Sequence, residues 1–193
     1  MKIFRLIPLA CALVALPVAA PAQTPPAPTT GAPAPAKKPF STGDAKVLLA
    51  IADSMQFQLK MSELMSGKFR ESNPTLAAFA GPIRQETTAL WTPTVDMATA
   101  GGVEGKKIPL DMSKTDRANL TKLNVIKDEK KWTLAYFEFY AKESKKNARD
   151  AEAGVKTLAD AGLKEWGAKA EALLKSQAER IEAKYKELKS AKK

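Results

Sequence analysis

The chain has 193 residues, with 31 Lys and Arg against 21 Asp and Glu, and a formal net charge of +10. It contains no histidine and a single cysteine, so the commonest metal ligand and the usual general base are missing and no internal disulfide can form. The composition therefore predicts no catalytic, cofactor-binding or metal-binding residues, and no cofactor.

The first 22 residues have the pattern of a secretory signal peptide. A start with two basic residues is followed by the apolar run 6–18 and by small residues at 20 and 22. Cleavage after Ala22 removes Lys2 and Arg5 and takes the net charge from +10 to +8. A lipoprotein with Cys11 as the lipid-bearing residue is the alternative, but Pro8 stands where that motif has Leu. No transmembrane segment is expected after cleavage, because the run is too short to span a bilayer.

Proline and alanine dominate residues 23–40, which we expect to be a disordered linker. The helical domain is predicted over 41–189, followed by a basic tail at 190–193. The domain is long enough for one hydrophobic core.

Two long helices are predicted in the first half of the domain. Helix 1 is expected to begin after Thr42 as its N-cap and to end near 67–72, with apolar residues at three- and four-residue spacing. The pair Asn73-Pro74 predicts the start of helix 2, which should end at the glycine pair 101–102. Pro82 and Pro93 fall inside helix 2, so we expect bends or breaks there.

The connection after helix 2 should pack residues 108–110 back on the domain. Ser113 and Asp116 resemble a capping box for a short extra helix. Asp128 is expected to cap helix 3, whose aromatic residues recur at i, i+4, i+7 and i+8 and predict one buried face. The aromatic residues expected in the core are Phe79, Trp132, Tyr136, Phe139, Tyr140 and Trp166.

Residues 160–162 are expected to form a turn before helix 4. Helix 4 has one face that recurs almost as in a coiled-coil heptad, apolar except for Gln177: Leu163, Trp166, Ala170, Leu173, Gln177, Ile181, Tyr185 and Leu188. No segment alternates with period two, so the chain is predicted to be all-α. Four main helices predict an antiparallel up-down four-helix bundle with a short extra helix between helices 2 and 3.

The order and spacing of these elements resemble a bacterial exported family of unknown function, labelled "predicted outer membrane protein", whose domain is a ferritin-like bundle. The resemblance covers roughly 44–188. Its motifs are Asn73-Pro74-x-Leu76-x-Ala78-Phe79-Ala80, Gly102-Val103 with Ile108-Pro109, Trp132-x-x-x-Tyr136 and Leu163-x-x-Trp166.

The resemblance also implies one histidine on each of helices 2, 3 and 4. Carried across by spacing, those positions are Thr87, Ser144 and Gln177, here called the family-histidine positions. None is histidine, so a metal site of that kind is not expected. A carboxylate-only site for a hard cation stays open as an alternative, with these residues as its candidates: Glu63, Glu86, Glu138 and Glu143.

The sequence favours an exported, non-enzymatic binding or scaffold protein of the periplasm or cell envelope, with outer-membrane association as a further expectation. The alternative is a ferritin-like metal-binding or enzymatic protein. Partners left open are an envelope protein and an anionic membrane surface, the latter because of the net positive charge. Nucleic acid is not expected, since export argues against it.

Overall fold

The computed structural model describes residues 38–191, so the predicted signal peptide, most of the predicted linker and the last two residues of the predicted tail lie outside the described part. Five α-helices and one 3-10 turn make up this part, in the order α1 Thr42–Phe69, α2 Pro74–Ala100, the turn Gly105–Lys107, α3 Lys114–Leu123, α4 Glu129–Val155 and α5 Ala161–Ser190. No strand occurs within 38–191. The predicted all-α class is confirmed, and the helices are compatible with a helical bundle.

Each α-helix begins at a short polar side chain that accepts a hydrogen bond from a backbone N–H of the first turn. Asn73, Ser113 and Asp128 cap α2, α3 and α4 as their sequence patterns predict. Helix α1 is capped by Ser41, whose hydroxyl accepts from the Asp44 N–H at 3.0 Å, and not by Thr42. Helix α5 is capped by Asp160, so the expected turn at 160–162 is already the start of this helix.

Helix α2 is not broken at its two prolines. Pro82 and Pro93 both lie inside the continuous helix Pro74–Ala100. Each proline removes one backbone donor, but the helix on either side is held by the burial of its apolar and small residues. The expected break is therefore wrong, because tertiary packing outweighs the local cost.

The core consists of two apolar clusters. The aromatic cluster has as its buried members Phe57, Met61, Met65, Phe69, Leu76, Ala80, Ile83, Met112, Trp132, Tyr136, Phe137, Tyr140, Ala141 and Ile181. The aliphatic cluster has as its buried members Leu48, Ile51, Met55, Ala98, Val103, Ile108, Ala151, Leu158, Leu163, Trp166, Ala170 and Leu174. Every long helix contributes to both clusters, and the core therefore extends along the full length of the helices.

The connection between α2 and α4 passes from one cluster to the other. Val103 and Ile108 are buried in the aliphatic cluster, whereas Met112 is buried in the aromatic cluster. Helix α3 follows, and Leu120 packs against the aromatic cluster from outside. Leu110 points into solvent at 78 % exposure, so of the segment expected to pack back, Ile108 is the residue that does so.

The end of the predicted linker is part of the packed domain. The Phe40 N–H donates to the carbonyl oxygen of Gly101 at 3.0 Å, and its ring packs against the aliphatic cluster. A Cβ at Gly101 would lie 2.0 Å from a carbon of this ring, so only glycine leaves room for it. The structure therefore places the start of the packed domain before residue 41.

No helix in the described range is long and apolar enough to cross a membrane.

Candidate functional site

A layer of four polar side chains separates the two apolar clusters. Gln58, Thr87, Ser144 and Gln177 come one each from α1, α2, α4 and α5, and all four are fully buried. On α2, α4 and α5 the residue stands where the members of one cluster give way to those of the other, and on α1 Gln58 lies just past this point, between Phe57 and Met61. We call these four residues the buried polar layer.

The three family-histidine positions all lie in this layer, and two of them touch. The Gln177 side-chain amide donates to the Thr87 hydroxyl at 2.9 Å and to the Ile83 carbonyl at 3.3 Å. Thr87 in turn donates to the Ile83 carbonyl at 2.7 Å. The third position, Ser144, has a different partner.

Ser144 is joined to α1. The Gln58 side-chain amide donates to the Ser144 hydroxyl at 3.0 Å. The backbone carbonyl of Gln58 accepts from the buried Ser62 hydroxyl at 2.8 Å. The layer is thus built from two hydrogen-bonded pairs, one between α2 and α5 and one between α1 and α4.

Four buried polar atoms in and beside the layer have no hydrogen-bond partner among the described residues. They are the side-chain oxygens of Gln58 and Gln177, the hydroxyl of Tyr140 and the Nε of Arg180. Burial raises the pKa of the Tyr140 hydroxyl above its ordinary value, with the Arg180 guanidinium acting in the opposite direction. The Tyr140 hydroxyl is therefore a neutral donor and acceptor.

An ion pair closes the layer on its solvent side. The Arg180 guanidinium donates to both carboxylate oxygens of Glu86, and its Nη1 lies 3.0 Å from the Glu86 Oε1. The Gln177 amide lies 3.4 Å from the same carboxylate. Hydrogen bonding to Arg180 holds the pKa of Glu86 below its ordinary value, so the pair is charged near neutral pH.

The four candidate carboxylates for a hard-cation site do not come together. Glu63 pairs with Lys60, and Glu86 pairs with Arg180. Glu138 is exposed. Within residues 38–191, no three His, Cys, Asp or Glu side chains are close enough to hold one metal ion.

The predicted core aromatics occupy the interior to different degrees. Trp132, Tyr136, Tyr140 and Trp166 are at most 4 % exposed. Phe79 and Phe139 are only partly buried, and Phe137 takes the fully buried position beside Tyr136. The Tyr136 hydroxyl donates to the Met61 carbonyl, while the Trp166 N–H donates to Thr94 at 2.9 Å.

Positive charge is concentrated around the aromatic cluster. We call the described residues 60–83, 110–141 and 180–191, which surround this cluster, the basic end. They carry thirteen Lys and Arg against nine Asp and Glu, whereas the remaining described residues carry thirteen against twelve. The end is therefore the part of the domain that best suits an anionic partner.

A groove of about 590 Å³ opens at the basic end. Leu76, Leu134 and Leu188 form apolar parts of its lining. Two lysines, Lys130 and Lys131, line it beside two carboxylates, Asp128 and Glu129. Both lysines are exposed, and neither forms an ion pair with a described acidic side chain. Val125, on the segment before α4, is 76 % exposed. The groove thus combines apolar side chains with charged side chains of both signs.

Gln58 and Arg180 were missed by the sequence reasoning. The apolar spacing on helix 1 favours Leu59, yet the structure buries Gln58 completely and leaves Leu59 partly exposed. The sequence does contain an indication that Gln58 is buried, since it is three residues from both Met55 and Met61 and therefore lies on their side of the helix. Arg180 stands three residues after Gln177, which places it on the same side of α5.

Comparison with known families gave one match. A family model described as "Domain of unknown function (DUF4142)" matches residues 29–183. Comparisons with curated proteins and with solved structures gave no match.

Proposed function

Because the chain belongs to the DUF4142 family, whose description names no activity, we propose its function from geometry: a non-enzymatic, exported binding domain that holds an anionic surface of the cell envelope through its basic end. The observation that carries the proposal is the groove lined by three leucines and by Lys130 and Lys131, with Lys127 close by in the chain. Asp128 and Glu129 also line it, so the stretch 127–131 has a net charge of +1. An anionic membrane surface offers both the charge and the apolar boundary that such a groove suits.

The energetics of the proposal depend on the lysines near the groove. Lys127, Lys130 and Lys131 are exposed within one stretch of five residues and form no ion pair with described residues. A lysine close to an anionic bilayer contributes about 1 kcal/mol, and the attraction fades beyond a Debye length of about 8 Å at physiological salt. The three together supply about 3 kcal/mol, and repulsion of Asp128 and Glu129 in the same stretch offsets about 2 kcal/mol of it. The binding should therefore be weak, reversible and sensitive to salt.

Sedimentation with vesicles tests this proposal. The protein should sediment with vesicles that contain phosphatidylglycerol and not with neutral phosphatidylcholine vesicles. The triple variant Lys127→Glu, Lys130→Glu, Lys131→Glu should bind at least about 100-fold more weakly, the factor equivalent to 3 kcal/mol at about 1.4 kcal/mol per decade.

A matched variant separates position from net charge. Lys142, Lys164 and Lys175 are also exposed but lie outside the basic end. Changing all three to Glu alters the net charge equally and should leave most vesicle binding intact. Equal losses in both triple variants would refute a localised site, and binding to neither vesicle type would leave an envelope protein as the partner.

We also propose that the chain is exported to the periplasm, with the outer membrane as the surface that it meets. The support is the pattern of residues 1–22, which lie outside the described part of the structure. Mass spectrometry of the exported protein should find Gln23 at its N-terminus. A lipid on Cys11 would overturn this and would indicate a permanent anchor.

A ferritin-like arrangement of the helices is likewise a proposal. Its support is that contacts between α1 and α4 follow opposite orders along the two helices. Gln58 contacts Ser144, whereas Met61, three residues further along α1, contacts Tyr136, which comes earlier on α4. The connection after α2 then passes from the aliphatic to the aromatic cluster. Such a long crossover is a feature of ferritin-like bundles and replaces the short connection of a simple up-down bundle.

The alternative of a carboxylate-only metal site gains no support from the separated positions of its four candidates. Elemental analysis of the purified protein would test it independently.

A further inference from the structure

We propose that the buried polar layer is a binding site for one small neutral molecule that both donates and accepts hydrogen bonds, with water as the ligand. The site would be formed by the four atoms without a described partner: the side-chain oxygens of Gln58 and Gln177, the Tyr140 hydroxyl and the Arg180 Nε. This inference does not depend on the proposed membrane function.

The inventory of these atoms matches the hydrogen-bonding capacity of water. The two glutamine oxygens can only accept, because an amide oxygen carries no hydrogen, and the NH2 groups of both side chains already donate to other residues. The Arg180 Nε can only donate, and the Tyr140 hydroxyl can do either. One water molecule can donate to the two oxygens and accept from the other two groups.

Helix spacing, one hydrogen bond and helix packing place the four groups in one region. Tyr140 is one helical turn before Ser144, the hydroxyl to which Gln58 donates. Arg180 is nearly one turn after Gln177 on α5. The Arg180 guanidinium is also close enough to the Tyr140 hydroxyl to influence its pKa. Helix α1, which carries Gln58, packs against α5, which carries Gln177 and Arg180.

The chemistry of the surroundings selects a neutral ligand. The Arg180 guanidinium at the edge of the layer disfavours a metal cation, although neutral oxygen atoms are suitable ligands for one. An anion is disfavoured as well, since Glu86 already neutralises Arg180. Leaving the four atoms unpaired would cost each of them its desolvation penalty. A bound water removes this cost and joins α1, α4 and α5.

A crystal structure of the exported protein at high resolution, with water–protein nuclear Overhauser measurements in solution, tests the inference. We expect an oxygen-sized density peak at about 2.7–3.2 Å from at least three of the four atoms. We also expect Overhauser contacts from water to the side-chain amides of Gln58 and Gln177, with the sign given by bound water. The pair of Trp166 and Thr94 serves as an internal control, because these two side chains bond directly.

Three variants sharpen the test. Gln177→Met and Tyr140→Phe should each lose or weaken the water contacts at Gln58, whereas Thr94→Val should leave them intact. Tyr140→Phe changes little volume, so it keeps the test valid if Gln177→Met does not fold. The proposal is overturned if Tyr140 bonds directly to either glutamine with no density between them. A metal ion, or an organic molecule larger than water, in the layer would overturn it equally.

Discussion

Trp132 offers the most direct test of the core, because it lies at the first turn of α4 with only 4 % of its surface exposed. Its indole stacks on Tyr136 with ring centroids 5.0 Å apart and meets Phe69 edge-on at 5.6 Å. Truncating such a residue removes the burial of a large aromatic together with both ring contacts. We expect Trp132→Ala to lower the free energy of unfolding by about 3–5 kcal/mol.

Urea unfolding followed by circular dichroism measures this loss. For a domain of this size, about 4 kcal/mol corresponds to a fall in melting temperature of about 8–16 °C. The urea dependence of the unfolding free energy should stay unchanged, since the surface exposed on unfolding hardly differs. The loss would be a large fraction of a total stability of about 5–15 kcal/mol.

Trp91→Ala provides the control, because Trp91 packs against the aliphatic cluster but remains partly exposed. Truncation there should cost clearly less than truncation of Trp132, in proportion to the smaller buried area. A Trp132→Ala loss below about 1 kcal/mol, or one equal to that of Trp91→Ala, would show that the aromatic cluster does not organise the core.

Three further predictions follow from particular contacts. Arg180 lowers the pKa of Glu86 in the folded protein, so the pair should stabilise the fold above the carboxyl's unfolded pKa. This stabilisation should be lost as the pH falls through the lower folded pKa. The urea midpoint of Glu86→Gln should therefore depend less on pH, between about pH 7 and about pH 3, than that of the unmodified protein. Gly101→Ala should displace the Phe40 ring, cost about 1–3 kcal/mol and speed proteolysis near residue 40, whereas Gly81→Ala, with nothing within 4 Å of the new carbon, should not. The unmodified protein should bind neither zinc nor iron tightly in calorimetry, and micromolar binding would contradict this. If the family histidines form a metal site, the triple variant Thr87→His, Ser144→His, Gln177→His should gain zinc affinity.

The helix limits were the part of the fold best predicted from sequence, because they depend on local chemistry. Asn73 followed by proline, the Ser113 pair with Asp116, and Asp128 each provide a hydrogen-bond acceptor for a first helical turn within three residues. The shift from Thr42 to Ser41 shows the limit of such reasoning. Ser41 and Thr42 can both cap a helix, so local chemistry does not choose between them. The choice depends on where the chain enters the helix, which follows from the docking of Phe40.

The buried faces of the helices were predicted only approximately. Spacing alone favours Phe139 and Leu173, but the structure buries Phe137 and Leu174 more fully. Leu173 and Leu174 are neighbours, about 100° apart around the helix, and Phe137 and Phe139 lie about 160° apart, so the orientation of each helix against its neighbours decides which of the two side chains is covered. That orientation is set by packing between helices, and no single helix contains the information.

The sequence by itself determined the helical class and most of the helix limits, since these depend on the identity and spacing of nearby residues. Only the tertiary structure decided that Gln58 completes the polar layer, that Thr87 meets Gln177 while Ser144 meets Gln58, and that the four candidate carboxylates form no common cluster. The two hydrogen-bonded pairs join residues 90 and 86 positions apart in the chain. They follow from how the helices pack, because a buried polar group must find its partner on whichever helix lies opposite.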